Sequence, residues 1–301
     1  MSATYFHKSL SISGHTGPVY AIAEDDSYIY SASGDKFIAR WSKKLGIQDT
    51  FSIKLPDTPF SIGLIDTCKK LVVGLQSGAL LVFDLEKRIE IQSLREHNAG
   101  VFAICEHRIN GQFYSADANG AICIWDSITF NLLLKIPTNA GKIRRIVLNR
   151  DESSFVICCE DGTLRTFDCI SFNEHATFGH HIMGATSFCS YSELFSISGG
   201  KDAQLCIWNK VSNELIYKFP AHLYVIYDII SLLDGQIVVT ASRDKSIKIW
   251  DTKNWNLIQK IDAKQGGHRF SVNALMKQNE YSFVSCSDDH SILCWSFNKV
   301  L

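Results

Sequence analysis

The stretch Ala221-His222, followed by Asp234-Gly235-Gln236-Ile237-Val238-Val239-Thr240-Ala241-Ser242-Arg243-Asp244 and Lys245-Ser246-Ile247-Lys248-Ile249-Trp250-Asp251, decides how this 301-residue chain folds. Two short runs rich in β-branched and aromatic residues, 236–240 and 246–250, read as strands. Between them Asp244 is a short polar residue that hydrogen-bonds its own backbone in a turn. Before them Asp234-Gly235 supplies the positive φ that closes a hairpin, as Asn110-Gly111 does earlier in the chain.

Working outward from Trp250, an aromatic closes an equivalent run at Trp41, Phe83, Trp125, Phe167, Trp208 and Trp295. The gaps are 42, 42, 42, 41, 42 and 45 residues, too regular for coincidence. Six residues before each anchor stand Asp35, Ser77, Asn119, Asp161, Asp202, Asp244 and Asp289. Further upstream a histidine recurs at His15, His97, His180, His222 and His268. Each unit has room for about four short strands, and no convincing helix is found. A four-stranded antiparallel sheet with two apolar faces cannot stand alone. Neighbouring sheets must therefore cover one another, and closing the stack into a ring removes its exposed ends.

The Gly-His, the Ser-x-Ser-x-Asp turn and the closing Trp-Asp resemble the Trp-Asp repeat (WD-repeat) family of β-propellers over essentially the whole chain. The resemblance implies one all-β domain, residues 1–301: a seven-bladed β-propeller with four-stranded antiparallel blades. It also implies ring closure by the amino-terminal strand completing the last blade. The pieces are present, since the chain stops six residues after Trp295 and residues 5–12 alternate like a strand. The second and fourth repeats depart from the pattern, with Phe83 and Phe167 at the anchor and no histidine.

Four repeats carry a full polar set: His15, Ser31, Asp35 and Trp41; His180, Ser198, Asp202 and Trp208; His222, Thr240, Asp244 and Trp250; His268, Ser285, Asp289 and Trp295. The third repeat is a variant with Asn119 in the acidic place. In each set the indole N–H donates to the hydroxyl, the hydroxyl to one imidazole nitrogen, and the other imidazole N–H to the carboxylate. Ser, His and Asp are also the ingredients of a nucleophilic triad. Catalysis needs such a site once, and this chain lacks the exposed Gly-x-Ser-x-Gly elbow, so these sets are read as structural. No phosphate loop and no His-Glu-x-x-His occurs. No catalytic site, metal or cofactor is expected. A propeller hydrolase or lactonase with a site at the channel is the alternative, because fold alone does not exclude an enzyme.

Composition bounds the partners. Thirty Lys and Arg against 31 Asp and Glu disfavour nucleic acid, which needs a basic excess to displace counterions. The absence of a long apolar run or a signal-peptide layout argues against a membrane partner. Ten cysteines without a secretion signal, several inside apolar runs, point to a reducing compartment, the cytosol. The expected function is a non-enzymatic scaffold holding a protein or peptide at one channel mouth. The residues expected there are Tyr20, Ser61, Phe102, Arg144, Thr186, Tyr227 and Asn273, with a rim that includes Glu160, Lys201, Arg243 and Asp288. Three aromatics and an arginine match the composition of binding hot spots. Lys142, Arg144 and Arg145 form a small basic cluster, and an insertion around 263–266 lengthens one loop of that face.

Overall fold

The structure is a computed structural model that describes residues 6–67 and 69–297. Seven four-stranded antiparallel sheets follow one another around a central channel, and within six of them each strand pairs with the next in sequence. Six blades are continuous in the chain, spanning 19–54, 59–94, 101–137, 143–178, 185–220 and 226–261. The seventh combines Val272–Asn279, Ser282–Ser287 and Ser291–Phe297 with the amino-terminal strand Phe6–Ser13. Repeats two and four, which lack the signature, are complete four-stranded blades: their middle strands Lys70–Leu75, Leu80–Asp84 and Ser154–Cys159 are buried on both faces whatever the anchor residue.

Closure is well anchored. Phe6 pairs with Phe297 and Ser13 with Ser291 in register, broken by one bulge between Lys8 and Leu10. The Phe6 ring is buried against Phe283 and Phe297, with centroids 5.3 Å away in both cases. Its backbone N–H and C=O are both taken by the Gln259 amide of blade 6, at 2.9 Å each. Tyr5, the expected first residue of this strand, lies outside the described residues.

Two local features set the mouth. First, the residue after each turn position adopts a left-handed conformation: Lys36, Gly78, Gly120, Gly162, Ala203, Lys245 and His290 have φ between 60° and 95°. Second, every innermost strand carries a bulge near its start. Among the described residues the one helical segment is a short 3-10 turn, Ala263–Gln265, capped by the Asp262 side chain and ended by left-handed Gly266.

Phe6→Ala should cost about 3–5 kcal/mol, the usual loss for a buried Phe. Urea unfolding checks it, and an unchanged midpoint contradicts closure through this strand.

Candidate partner-binding face

The polar sets hold the loops of this face. In blade 1 the Trp41 indole N–H donates to Ser31 at 2.7 Å, Ser31 lies 2.7 Å from His15 Nε2, and His15 Nδ1 lies 2.8 Å from Asp35. Blade 6 repeats this with Trp250, Thr240, His222 and Asp244 at 3.0, 2.8 and 2.8 Å. Blade 7 does so with Trp295, Ser285, His268 and Asp289 at 2.9, 2.8 and 3.1 Å. Each donor meets an acceptor, so burial leaves no polar atom of the relay stranded.

Two blades correct the sequence reading. In blade 5 the histidine is His181, not His180: its ring nitrogens lie 2.8 Å from Ser198 and 2.9 Å from Asp202, and the Trp208 indole N–H donates to Ser198 at 2.9 Å. His180 is exposed, with its ring stacked on Trp208. The His-to-Ser separations of the other sets run from 16 to 18 residues, so spacing could not separate the two adjacent histidines. In blade 3 the carboxylate is Asp117, not a variant at Asn119. His97 Nδ1 lies 2.9 Å from Asp117 and its Nε2 2.7 Å from Ser115, which accepts from Trp125 at 2.8 Å. The acid has moved two residues back along the turn, and Asp117 also accepts the N–H groups of Asn119 and Ala121. The fixed offset from Trp125 hid it.

The innermost-strand bulges deliver the channel residues. The unpaired residue is Tyr20, Phe60, Phe102, Arg144, Thr186, Tyr227 or Asn273 in turn. A bulge re-aims one side chain, and here the inserted residue is the one placed at the mouth. Blade 2 thus presents Phe60, and Ser61 is buried with its hydroxyl on the Val101 carbonyl at 2.8 Å. Sequence reasoning missed Phe60 because the residue before it is Pro59 rather than an aliphatic. Thr186 is also buried, its hydroxyl spent on the Gly199 and Ile226 carbonyls.

The remaining bulge residues line a channel of about 870 Å³. Phe60 stacks on Phe102 at 4.7 Å and meets Tyr20 edge-on at 6.0 Å. The Arg144 guanidinium lies 4.8 Å over the Tyr227 ring and 5.6 Å from that of Phe102, and Lys142 Nζ sits 4.5 Å over Phe102. Burial lowers the Arg144 pKa from the usual arginine value. Burial and the nearby Asp288 carboxylate raise that of the Tyr20 phenol. Asn273 donates to the Val19 carbonyl at 2.9 Å and to Asp288 at 2.8 Å, tying blade 7 to blade 1. The basic cluster splits: Arg145 turns to the buried Asp228 at 3.0 Å, leaving Arg144 and Lys142 on the aromatics. On the rim Lys201 pairs with Glu160 at 2.8 Å, while Arg243 is exposed. Among the described residues no group of three or more His, Cys, Asp or Glu is placed to hold a metal ion. No helix among them is long and apolar enough to cross a membrane.

Seven blades, a closed ring and repeated His-Ser-Asp-Trp relays define a Trp-Asp-type propeller. The chain belongs to the WD40 family: the model for the WD domain, G-beta repeat, matches residues 6–42, 88–126, 213–251 and 259–296, about half of the chain. Similar proteins include cilia- and flagella-associated protein 337 B of Tetrahymena thermophila, 22% identical over 72% of this chain and 18% of that protein. The kinesin-like protein KIF21B of Mus musculus is 22% identical over 91% of this chain and 18% of its own length. The p21-activated protein kinase-interacting protein 1-like of Gallus gallus is 23% identical over 61% and 60%. The chain thus spans a minor part of the first two and three fifths of the third.

Asp117→Ala and His181→Ala should each cost about 2–3 kcal/mol, the worth of a buried hydrogen bond to a charged group. Asn119→Ala and His180→Ala should cost about 0.5 kcal/mol or less, as surface changes do. Chemical denaturation of the four variants separates the corrected sets from the sequence-read ones.

Acid should weaken the fold in two stages. Burial lowers the His222 pKa, so below the ordinary imidazole value of 6.5 the unfolded chain takes a proton that the folded chain refuses. Burial raises the Asp202 pKa, but the His181 hydrogen bond outweighs it and holds the carboxyl at about 2. Its contribution is complete above the ordinary value of 3.8 and is lost as pH falls toward about 2. Melting temperature should be flat above neutral pH and decline below it. A Tm that rises on acidification contradicts both assignments.

Proposed function

We propose that this chain is a non-enzymatic scaffold that docks a protein or peptide segment on the channel-mouth face. WD40 propellers are typically protein-interaction scaffolds, and one relative is itself named for an interaction. The observation that carries the reading is the mouth itself. Tyr20, Phe60, Phe102, Arg144 and Tyr227 form a continuous line of ring and cation–π contacts, built from bulge residues of separate blades. Large, rigid aromatics and an arginine are the side chains that dominate binding energy at interfaces. The serines of the relays, by contrast, are fully buried beneath tryptophans and accept hydrogen bonds from them, a poor position for a nucleophile. The cytosolic setting expected from the cysteines is part of the same proposal.

The triple variant Tyr20→Ala, Phe102→Ala, Tyr227→Ala tests it by quantitative affinity capture against the wild type, with melting curves as the folding control. Recovery of bound partner should fall at least tenfold, since a single hot-spot truncation costs about 2 kcal/mol or more. Equal recovery by a folded triple variant refutes docking at this mouth.

A further inference from the structure

The docking face carries a chemical bias that its central ring alone does not reveal. In blades 5, 6 and 7 the relay histidine is followed by Ile182-Met183, Leu223-Tyr224 and Arg269-Phe270. Ile182 is 84% exposed, Leu223 82% and Phe270 52%. At the same place blades 1 and 3 carry Thr16-Gly17 and Asn98-Ala99, so the loop closes without a large apolar side chain. The relay carboxylates accept the backbone N–H of Ile182, Leu223 and Arg269 at 3.2, 3.1 and 2.8 Å. These loops are therefore pinned while their side chains stand in water. An apolar crest held rigidly in solvent, on three adjacent blades and not on the others, marks a surface for a partner.

Its charge is equally one-sided where it meets water. Arg243, Lys245 and Arg269 are exposed on blades 6 and 7, and Lys245 lies 5.4 Å over the Phe270 ring. The carboxylates of the same turns are withdrawn: the side chains of Asp202, Asp244 and Asp289 are 8, 5 and 11% exposed and face their histidines. Asp288 is half-buried and held by the Asn273 amide, though it keeps its charge, and Glu160 is paired with Lys201. Inside the mouth Arg144 rests on two aromatic faces and, among the described residues, forms no ion pair; the nearby buried Asp228 is bonded to Arg145. With 30 basic against 31 acidic residues overall, this positive bias is a property of the face, not of the chain.

We infer that the mouth takes a short extended acidic segment of a partner protein, with apolar side chains lying on Ile182, Leu223 and Phe270 and a carboxylate reaching Arg144. The inference rests on the docking role proposed above and adds the partner's chemistry. A carboxylate arriving at Arg144 gains a charge-assisted hydrogen bond in a partly desolvated channel, where such bonds are strongest.

The test selects a phage-displayed library of random dodecapeptides on the immobilised full chain. Recovered peptides are then titrated, fluorescein-labelled, against wild type, Leu223→Asp, Arg144→Ala and the outer-strand control Leu133→Asp. Recovered sequences should combine Asp or Glu with Leu, Ile, Phe or Trp. Affinity should fall at least tenfold in Leu223→Asp and in Arg144→Ala, stay unchanged in Leu133→Asp, and weaken as salt is raised. Leu223 is exposed, so its variant stays informative if Arg144→Ala fails to fold. Basic or uncharged peptides that still lose binding in Leu223→Asp overturn the acidic assignment and leave the docking role standing. Peptides indifferent to both mouth variants, or no enrichment at all, overturn both. Tighter binding of a labelled oligonucleotide, displacing the peptides, overturns the inference in favour of nucleic acid.

Discussion

A blade of this protein has two apolar faces and no means of hiding either one by itself, and the closed ring follows from that constraint. The buried clusters straddle blade boundaries. Ile230, Leu232, Val239 and Ile249 of blade 6 pack with Leu275, Phe283 and Trp295 of blade 7, and Phe6 joins them from the start of the chain. Ile12, Val19, Ile29 and Trp41 likewise bury with Val284 and Cys286 across the seam between blades 7 and 1. Burial of this kind is worth roughly 1.5–3 kcal/mol per large side chain, so the seam is as costly to leave open as any other boundary. The amino-terminal strand is therefore a structural member of the last blade and not a tail.

The polar relays do a second job that burial cannot. Hydrophobic contact is non-directional, whereas a chain of hydrogen bonds from indole to hydroxyl to imidazole to carboxylate fixes one geometry. The carboxylate's remaining capacity accepts the backbone N–H of the residue after the histidine, in blade 1 Thr16 at 3.0 Å as well as Ile182, Leu223 and Arg269. One group thus secures the blade and positions a loop on the mouth. Blade 4, which has no relay histidine, answers differently: Asp161 pairs with Arg165 at 2.6 Å, and Arg165 also donates to the Thr138 carbonyl at 2.9 Å.

What could be seen in the sequence follows from the same physics. The period and the aromatic anchors were legible because every blade must cover its neighbour at the same radius, which forces the third strand into a fixed register with the second. The exceptions lie where several local solutions satisfy one requirement. A carboxylate at Asp117 or at the usual turn position reaches the same imidazole, so a fixed offset from Trp125 misplaces it. Two adjacent histidines both lie within the tolerated loop length, and only the folded loop selects His181 over His180. Phe60 was hidden because the bulge follows backbone position, and its neighbour Pro59 does not look like the Val, Ile or Ala that precedes the bulge elsewhere. The exposed crest of blades 5 to 7 was invisible for a different reason. Ile182 and Leu223 are aliphatic, and which aliphatics face water is settled by the loop's attachment to its relay, not by composition.

Rigidity links these observations to recognition. Tyr20, Phe60, Phe102, Arg144 and Tyr227 come from blades 1, 2, 3, 4 and 6, so they meet only in the closed ring. Each is a bulge residue held by a paired strand on both sides of the insertion, and each touches a neighbour in the line, ring on ring from Tyr20 to Phe102 and through the Arg144 guanidinium from Phe102 to Tyr227. A partner that docks there has little of this surface to order on binding, which spares roughly 0.5–1.5 kcal/mol for each rotamer-rich side chain that would otherwise be immobilised. The ring that shields the apolar faces is also what brings the mouth residues together, and loosening the seam at Phe6 must loosen the docking surface with it.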